Sequence, residues 1–258
     1  NEFWSNSATD LLAACLIKFA NLGEIKMNLA NMEKLKQLFT STNDDASVLA
    51  GGFIAGLSGD GRVASSIVST LQTALSAWSS AEVRASTSAS DFDADMLVKQ
   101  PTVMILKCPG ENSTAYAPYL GAVLSKLILN LDTIAQRNTR PGEVGRLPIP
   151  VELILEEFYA LGYLEIIVKK INLVRKRRIG IMMAIQTIGQ LHEVYGQNGT
   201  DTLLAGCAFQ TVYGSCDHET AAFYSKVSGI TTVGTPNAHP SKTNYRQRPL
   251  LTSDEITT

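Results

Sequence analysis

Two acids close a short apolar run in Leu153-Ile154-Leu155-Glu156-Glu157, and residues of those types in that order can do chemistry on a phosphate. A hydrophobic strand delivers its last side chains to the carboxyl edge of a sheet, where parallel α/β folds bind ligands. Placed there in the Walker B manner, Glu156 can hold the shell of an Mg²⁺ ion. Glu157 can polarise the water that attacks a terminal phosphate. The plainer reading is an exposed strand end that opens a helix, where the dipole also favours carboxylates. A second apolar run, Ile181-Met182-Met183-Ala184-Ile185, ends in Gln186. An amide on a neighbouring strand tip can hydrogen-bond a γ-phosphate or its attacking water; alone, it reads as a capped strand end. Arg175-Lys176-Arg177-Arg178 precedes that strand. The helix dipole favours such a cluster in any case, but in a ring of subunits one member can reach a neighbour's phosphate as an arginine finger.

Other chemistry-bearing residues fall away. Gly56-Leu57-Ser58-Gly59-Asp60-Gly61-Arg62-Val63 has the glycine spacing of a phosphate-gripping loop. Arg62 replaces its lysine, Val63 replaces its hydroxyl residue, and it joins two helical patterns rather than following a strand, so it reads as a loop and cap. No Walker A loop is expected in the chain. Cys15, Cys108, Cys207 and Cys216, and His192, His218 and His239, show no metal-ligand spacing, and the cysteines read as reduced. The sequons at Asn112 and Asn198 read as chance. A net charge of −2 means that the whole-chain field does not attract nucleic acid, so any contact with it must come from a local patch. The candidates are Lys169, Lys170, Lys176, Arg177 and Arg178. No apolar run reaches the roughly 18 residues needed to span a bilayer. The chain begins without Met, and both ends read as cut, so a fragment is expected.

Helical periodicity dominates residues 1–98: Leu11, Leu12, Cys15, Leu16 and Phe19 form one stripe, and Val63, Ile67, Leu71, Leu75 and Trp78 another. From residue 99 the texture changes. Val103-Met104-Ile105-Leu106, residues 151–155, 179–185 and 209–213 are read as buried strands, alternating with helices at 116–135 and 218–227. Alternation of this kind implies an α/β domain with a parallel sheet. The expected organisation is an all-helical domain over 1–98 and an α/β domain over 99–258.

The ordered series Leu153-Ile154-Leu155-Glu156-Glu157-Phe158-Tyr159-Ala160-Leu161-Gly162, Arg175-Lys176-Arg177-Arg178-Ile179, Ala184-Ile185-Gln186-Thr187-Ile188-Gly189-Gln190-Leu191 with Tyr195-Gly196, Gly214-Ser215-Cys216-Asp217-His218-Glu219-Thr220-Ala221 and Arg248-Pro249-Leu250-Leu251-Thr252-Ser253-Asp254-Glu255-Ile256 resembles the TraG/TraD-type coupling proteins of conjugation and type IV secretion. With Phe3-Trp4 and the following Leu11-Leu12, which are similar to the same family, the resemblance covers nearly the whole chain. It implies a partial RecA-like P-loop NTPase fold with an all-α inserted domain, in a homo-hexameric ATPase anchored in the bacterial inner membrane. Such a motor passes relaxase-bound single-stranded DNA or protein substrates to the secretion channel, and this part would lie on the cytoplasmic side. By position, the resemblance gives Glu156 the Mg²⁺-side role, Glu157 the base, Gln186 the γ-phosphate sensor and Arg175 the trans-acting finger, with ATP and Mg²⁺ as cofactors. The family usually carries Asp-Glu where this chain has Glu156-Glu157, which moves the first carboxylate out by one methylene. Two other classes accommodate the same residues: a non-catalytic substrate-binding adaptor and a chromosome-segregation-type DNA translocase.

Overall fold

The structure, a computed structural model, describes residues 2–41, 43–58, 61–107, 113–138, 145–214, 216–236 and 243–257. The chain divides into two compact units, Asn1–Leu127 and Ile128–Thr258.

In the first unit every described element is a helix: α1 (Glu2–Lys18), α2 (Leu22–Asn28), α3 (Met32–Thr40), α4 (Asp45–Leu49), α5 (Gly51–Gly56), α6 (Arg62–Ala74), α7 (Ala81–Ser86), α8 (Asp95–Lys99) and the start of α9 (Ser113–Arg137). Asn21, Asn31 and Asp44 start α2, α3 and α4 by accepting from the backbone N–H three residues on, at 2.9, 2.9 and 3.0 Å, which satisfies donors that a helix leaves unpaired. Leu11 and Cys15 of α1 meet Ile67 and Leu71 of α6 in one buried core with Phe39, Phe53 and Trp78. The stripe expected from Val63 to Trp78 is broken. Val63 is exposed, and a 3₁₀ turn (Ser76–Ser79) carries Trp78. That turn lets the indole swing back onto the core and donate to Thr87 Oγ1 at 3.1 Å.

The second unit holds the end of α9, then β1 (Val151–Leu155), α10 (Glu165–Val174), β2 (Ile179–Met183), α11 (Ile188–Gly206), α12 (His218–Val227), β3 (Ile230–Pro236), β4 (Thr243–Pro249) and α13 (Ser253–Thr257). Strands β1 and β2 pair in parallel with Val151 opposite Ile179 and Leu155 opposite Met183. The α10 crossover between them is the connection that parallel pairing requires.

Three strand expectations need correction. Residues 103–106 and 209–213 are not strands: no described segment pairs with them, and Val103, Ile105, Phe209 and Tyr213 are exposed. A strand is held by its neighbour's N–H and C=O groups, and apolar content supplies none. β1 is buried on one face rather than two, because Val151, Leu153 and Leu155 point inward while Glu152 and Ile154 face out. Beyond expectation, β3 and β4 form an antiparallel hairpin with Ile230 opposite Pro249.

Candidate functional site

The carboxyl tips of β1 and β2 lie side by side. Past the last ladder pair, Ala184 N–H donates to the Leu155 carbonyl and Phe158 N–H donates to the Ala184 carbonyl, both at 3.0 Å. The chain therefore turns out of β1 while still fastened to β2, and it turns at Glu157, whose φ of 48° and ψ of 49° lie in the left-handed region. That conformation costs a residue with a side chain roughly 1–2 kcal/mol, and such residues cluster at functional sites. Glu156 and Glu157 are both exposed, and neither side chain has a hydrogen-bond or ion-pair partner among the described residues. Two exposed oxygen acids with no cation on them suit Mg²⁺, which takes one or two carboxylates and completes its shell with water and phosphate oxygens. No group of three metal-ligating side chains occurs among the described residues.

Gln186 stands in the bend between β2 and α11, also exposed. Its N–H donates to Gln190 Oε1 at 3.1 Å, and Thr187 caps α11 by accepting from Gln190 N–H at 3.3 Å. The bend is held from below by α12. Ile188 N–H donates to Thr220 Oγ1 at 3.1 Å, and Thr220 in turn donates to Asp217 Oδ2 at 2.5 Å. Asp217 also accepts the Glu219 and Thr220 N–H groups as the cap of α12. These bonds, the one from the Thr220 hydroxyl first, hold the Asp217 carboxyl below its ordinary range. A cleft of about 170 Å³ opens here, lined by Gln186, Thr187, Thr211, Tyr213, Cys216 and Thr220 among others. Neither Glu156 nor Glu157 lines it.

The basic cluster divides. Asp132, 3% exposed at the end of α9, accepts from Lys170 Nζ at 2.8 Å and from Arg177 Nε at 3.0 Å. Arg177 also donates to the Gly145 carbonyl at 3.0 Å. Lys170 and Arg177 therefore spend their charge inside the unit and offer little of it to a DNA phosphate. Lys169 is exposed and pairs with Glu165 at 2.7 Å, whereas Arg175, Lys176 and Arg178 are exposed. Arg175 opens the 3₁₀ turn (Arg175–Arg177) before β2, and Gln186 follows that strand's other end. The five residues of β2, at roughly 3.3 Å each, separate them by at least about 15 Å. Glu156, Glu157 and Gln186 follow the carboxyl tips of two neighbouring strands, whereas Arg175 precedes the opposite end of β2.

Two structural partners of the site carried weak signals in the sequence. Tyr195 follows Ile188 and Leu191 on the buried stripe of α11, and a tyrosine in such a stripe must find a partner for its hydroxyl. Asp132 sits among apolar residues of α9, where a buried acid must find a cation.

A parallel strand pair joined by a crossover helix and flanked by further helices is the part of a RecA-like P-loop fold that this chain carries, a class set by its likeness to solved structures. Solved structures of the conjugative coupling protein TrwB have this fold. The unbound monoclinic form of TrwBΔN70 aligns with a TM-score of 0.64 at 17% identity, covering 98% of this chain and 56% of that one. TrwB in complex with the non-hydrolysable GTP analogue GDPNP gives 0.65 at 17% identity, covering 98% and 58%. TrwB in complex with ADP and Mg²⁺ gives 0.62 at 15%, covering 100% and 63%. The family profile described as type IV secretory system conjugative DNA transfer matches residues 1–258, and the chain belongs to that family. Among curated proteins it is similar to protein VirD4 of Rhizobium rhizogenes, 28% identical over 155 residues, which are 60% of this chain and 22% of that protein. The type IV secretion system-coupling protein VirD4 of Bartonella quintana is 26% identical over 176 residues, 64% of this chain and 26% of that protein. The chain thus spans about a quarter of the length of these relatives.

Proposed function

We propose that this chain supplies the water-activating half of the ATP-hydrolysing centre in a type IV secretion coupling protein. The observation that carries this reading is the pair of fastened strand tips: Glu156 and Glu157 follow one of them directly, and Gln186 follows the other three residues on. Glu156 would hold the Mg²⁺ shell. Glu157 takes a proton from the water whose oxygen attacks the γ-phosphorus as the bond to ADP breaks, and Gln186 hydrogen-bonds the γ-phosphate. The nucleotide complexes of TrwB support ATP and Mg²⁺ as the ligands. Arg175, remote from these groups within the chain, acts in trans on a neighbouring subunit of a homo-hexamer.

Residues 1–98 are the all-helical domain and 99–258 the later part of the motor. The assembled protein sits at the inner membrane with this part on the cytoplasmic side, and it hands relaxase-bound single-stranded DNA to the secretion channel. No helix among the described residues is long and apolar enough to cross a membrane. Of the expected DNA contacts, Lys169, Lys176 and Arg178 keep exposed side chains for phosphates, a binding that weakens steeply with salt.

The test is Glu157→Gln in the full-length protein. Turnover of ATP should fall by at least about a hundredfold, the usual contribution of a positioned base, while nucleotide binding persists. Unchanged turnover would remove Glu157 from the mechanism.

A further inference from the structure

The left-handed turn at Glu157 needs something to hold it, and the side chain in place to do so is Tyr195. Its ring stacks on Phe158, the residue after Glu157, with centroids 5.4 Å apart and planes 10° from parallel. Phe158 is 0% exposed, and its N–H is the one that donates to the Ala184 carbonyl at the tip of β2. The Tyr195 hydroxyl donates to the Gly162 carbonyl at 3.1 Å and accepts from the Leu164 N–H at 3.3 Å. One side chain thus grips both ends of the segment that leaves β1, by stacking at 158 and by hydrogen bonding at 162 and 164. A buried tyrosine must find a partner for its hydroxyl. Here the hydroxyl serves one backbone acceptor and one backbone donor in a segment that no ladder satisfies.

We propose that Tyr195 is a positioning residue for Glu157, holding the turn out of β1 so that the carboxylate is presented at the strand tips. This rests on the assignment of Glu157 as the base. Strain in the left-handed region persists only where the flanks over-determine it, and the Tyr195 brace together with the Phe158–Ala184 bond supplies that determination. With the hydroxyl removed, the turn can relax toward ordinary backbone angles and the carboxylate leaves the attacking geometry. No nucleotide contact is assigned to residues 158–164 in the proposed function, so nucleotide binding should persist.

The experiment compares four forms of the full-length protein: wild type, Glu157→Gln, Tyr195→Phe, and Leu203→Val as a packing control on the same helix. Steady-state kcat and KM for Mg·ATP are measured alongside thermal unfolding. Tyr195→Phe should lower kcat by about tenfold or more, with KM within twofold of wild type, whereas Leu203→Val lowers the melting temperature comparably and keeps kcat. If Glu157→Gln abolishes turnover and Tyr195→Phe leaves kcat unchanged, the positioning role is wrong and the base assignment stands. Equal kcat losses in Tyr195→Phe and Leu203→Val reduce Tyr195 to a packing residue. If Glu157→Gln itself turns over normally, the base assignment fails and the positioning role falls with it. Should Tyr195→Phe not fold, Phe158→Leu, which removes the stack and keeps the hydroxyl, decides between the same outcomes.

Discussion

Replacing Asp132 by Asn tests whether an internal ion cluster holds the second unit together. Asp132 is 3% exposed, and its carboxylate takes one hydrogen bond from Lys170 at 2.8 Å and one from Arg177 at 3.0 Å. Removing one partner of a fully buried pair costs roughly 3–5 kcal/mol, mostly by stranding the other charge. Here the stranding is incomplete. The Lys170 side chain is 27% exposed and can turn to water, while that of Arg177, at 14%, keeps its bond to the Gly145 carbonyl. The low end applies, about 3 kcal/mol, which for a unit of this size is a fall in melting temperature on the order of 10 °C.

Burial by itself would raise the Asp132 carboxyl. The bonds from Lys170 and Gln136 and the charges of Lys170 and Arg177 outweigh it and hold the group below its ordinary 3.8. A depressed folded value contributes stability that is complete above the unfolded value and is lost as pH falls through the folded one. The gap between wild type and Asp132→Asn should therefore be full at pH 7, still present at pH 5, and closing below pH 3.8. Thermal or urea unfolding followed by circular dichroism across that range reads it directly. A loss under about 1 kcal/mol at pH 7, as for a surface pair, or one of equal size at pH 7 and pH 2.5, would refute the cluster as described.

Two further outcomes follow from packing. Thr200, 0% exposed, has a hydroxyl with no partner among the described residues; its usual acceptor, the carbonyl four residues back, belongs to Gly196, whose φ of 64° and ψ of 178° kink α11. Thr200→Val should raise stability by about 1 kcal/mol, because the isosteric change removes an unpaired polar group, and a loss in urea unfolding would contradict this. A Cβ at Gly56 would lie 2.8 Å from the Ala64 backbone nitrogen, whereas one at Gly51 in the same helix meets nothing within 4 Å. Gly56→Ala should cost about 1–3 kcal/mol by overpacking, and Gly51→Ala should be neutral or gain up to about 1 kcal/mol; matching melting temperatures for the two would count against the helix contact.

Much of this architecture was legible along the chain because it is local. Val151–Leu155 and His218–Val227 fall on the residues expected from the sequence. Of the stripe expected near the start, Leu11 and Cys15 are buried, Leu12 and Phe19 are partly buried and Leu16 is exposed. The strand ending in paired acids was also readable as a short sequence of residue types; β2, expected to run to Ile185, ends at Met183, three residues before Gln186. Whether the two strands are neighbours was not readable, and neither was the parallel register that sets Leu155 opposite Met183.

Four apolar residues at 103–106 and four at 151–155 look alike in sequence; the second run became a strand because β2 lies alongside it, and the first has no such neighbour among the described residues. The same reason divides the basic residues. Lys170 and Arg177 could not be told from Lys169 and Arg175 by type or spacing, and only the buried carboxylate of Asp132, some 40 positions earlier, decided which cations turned inward. Periodicity, caps and side-chain chemistry are properties of a segment and are written in it. Pairing, burial and the left-handed turn at Glu157 depend on partners distant in sequence, and those partners meet only in the folded chain.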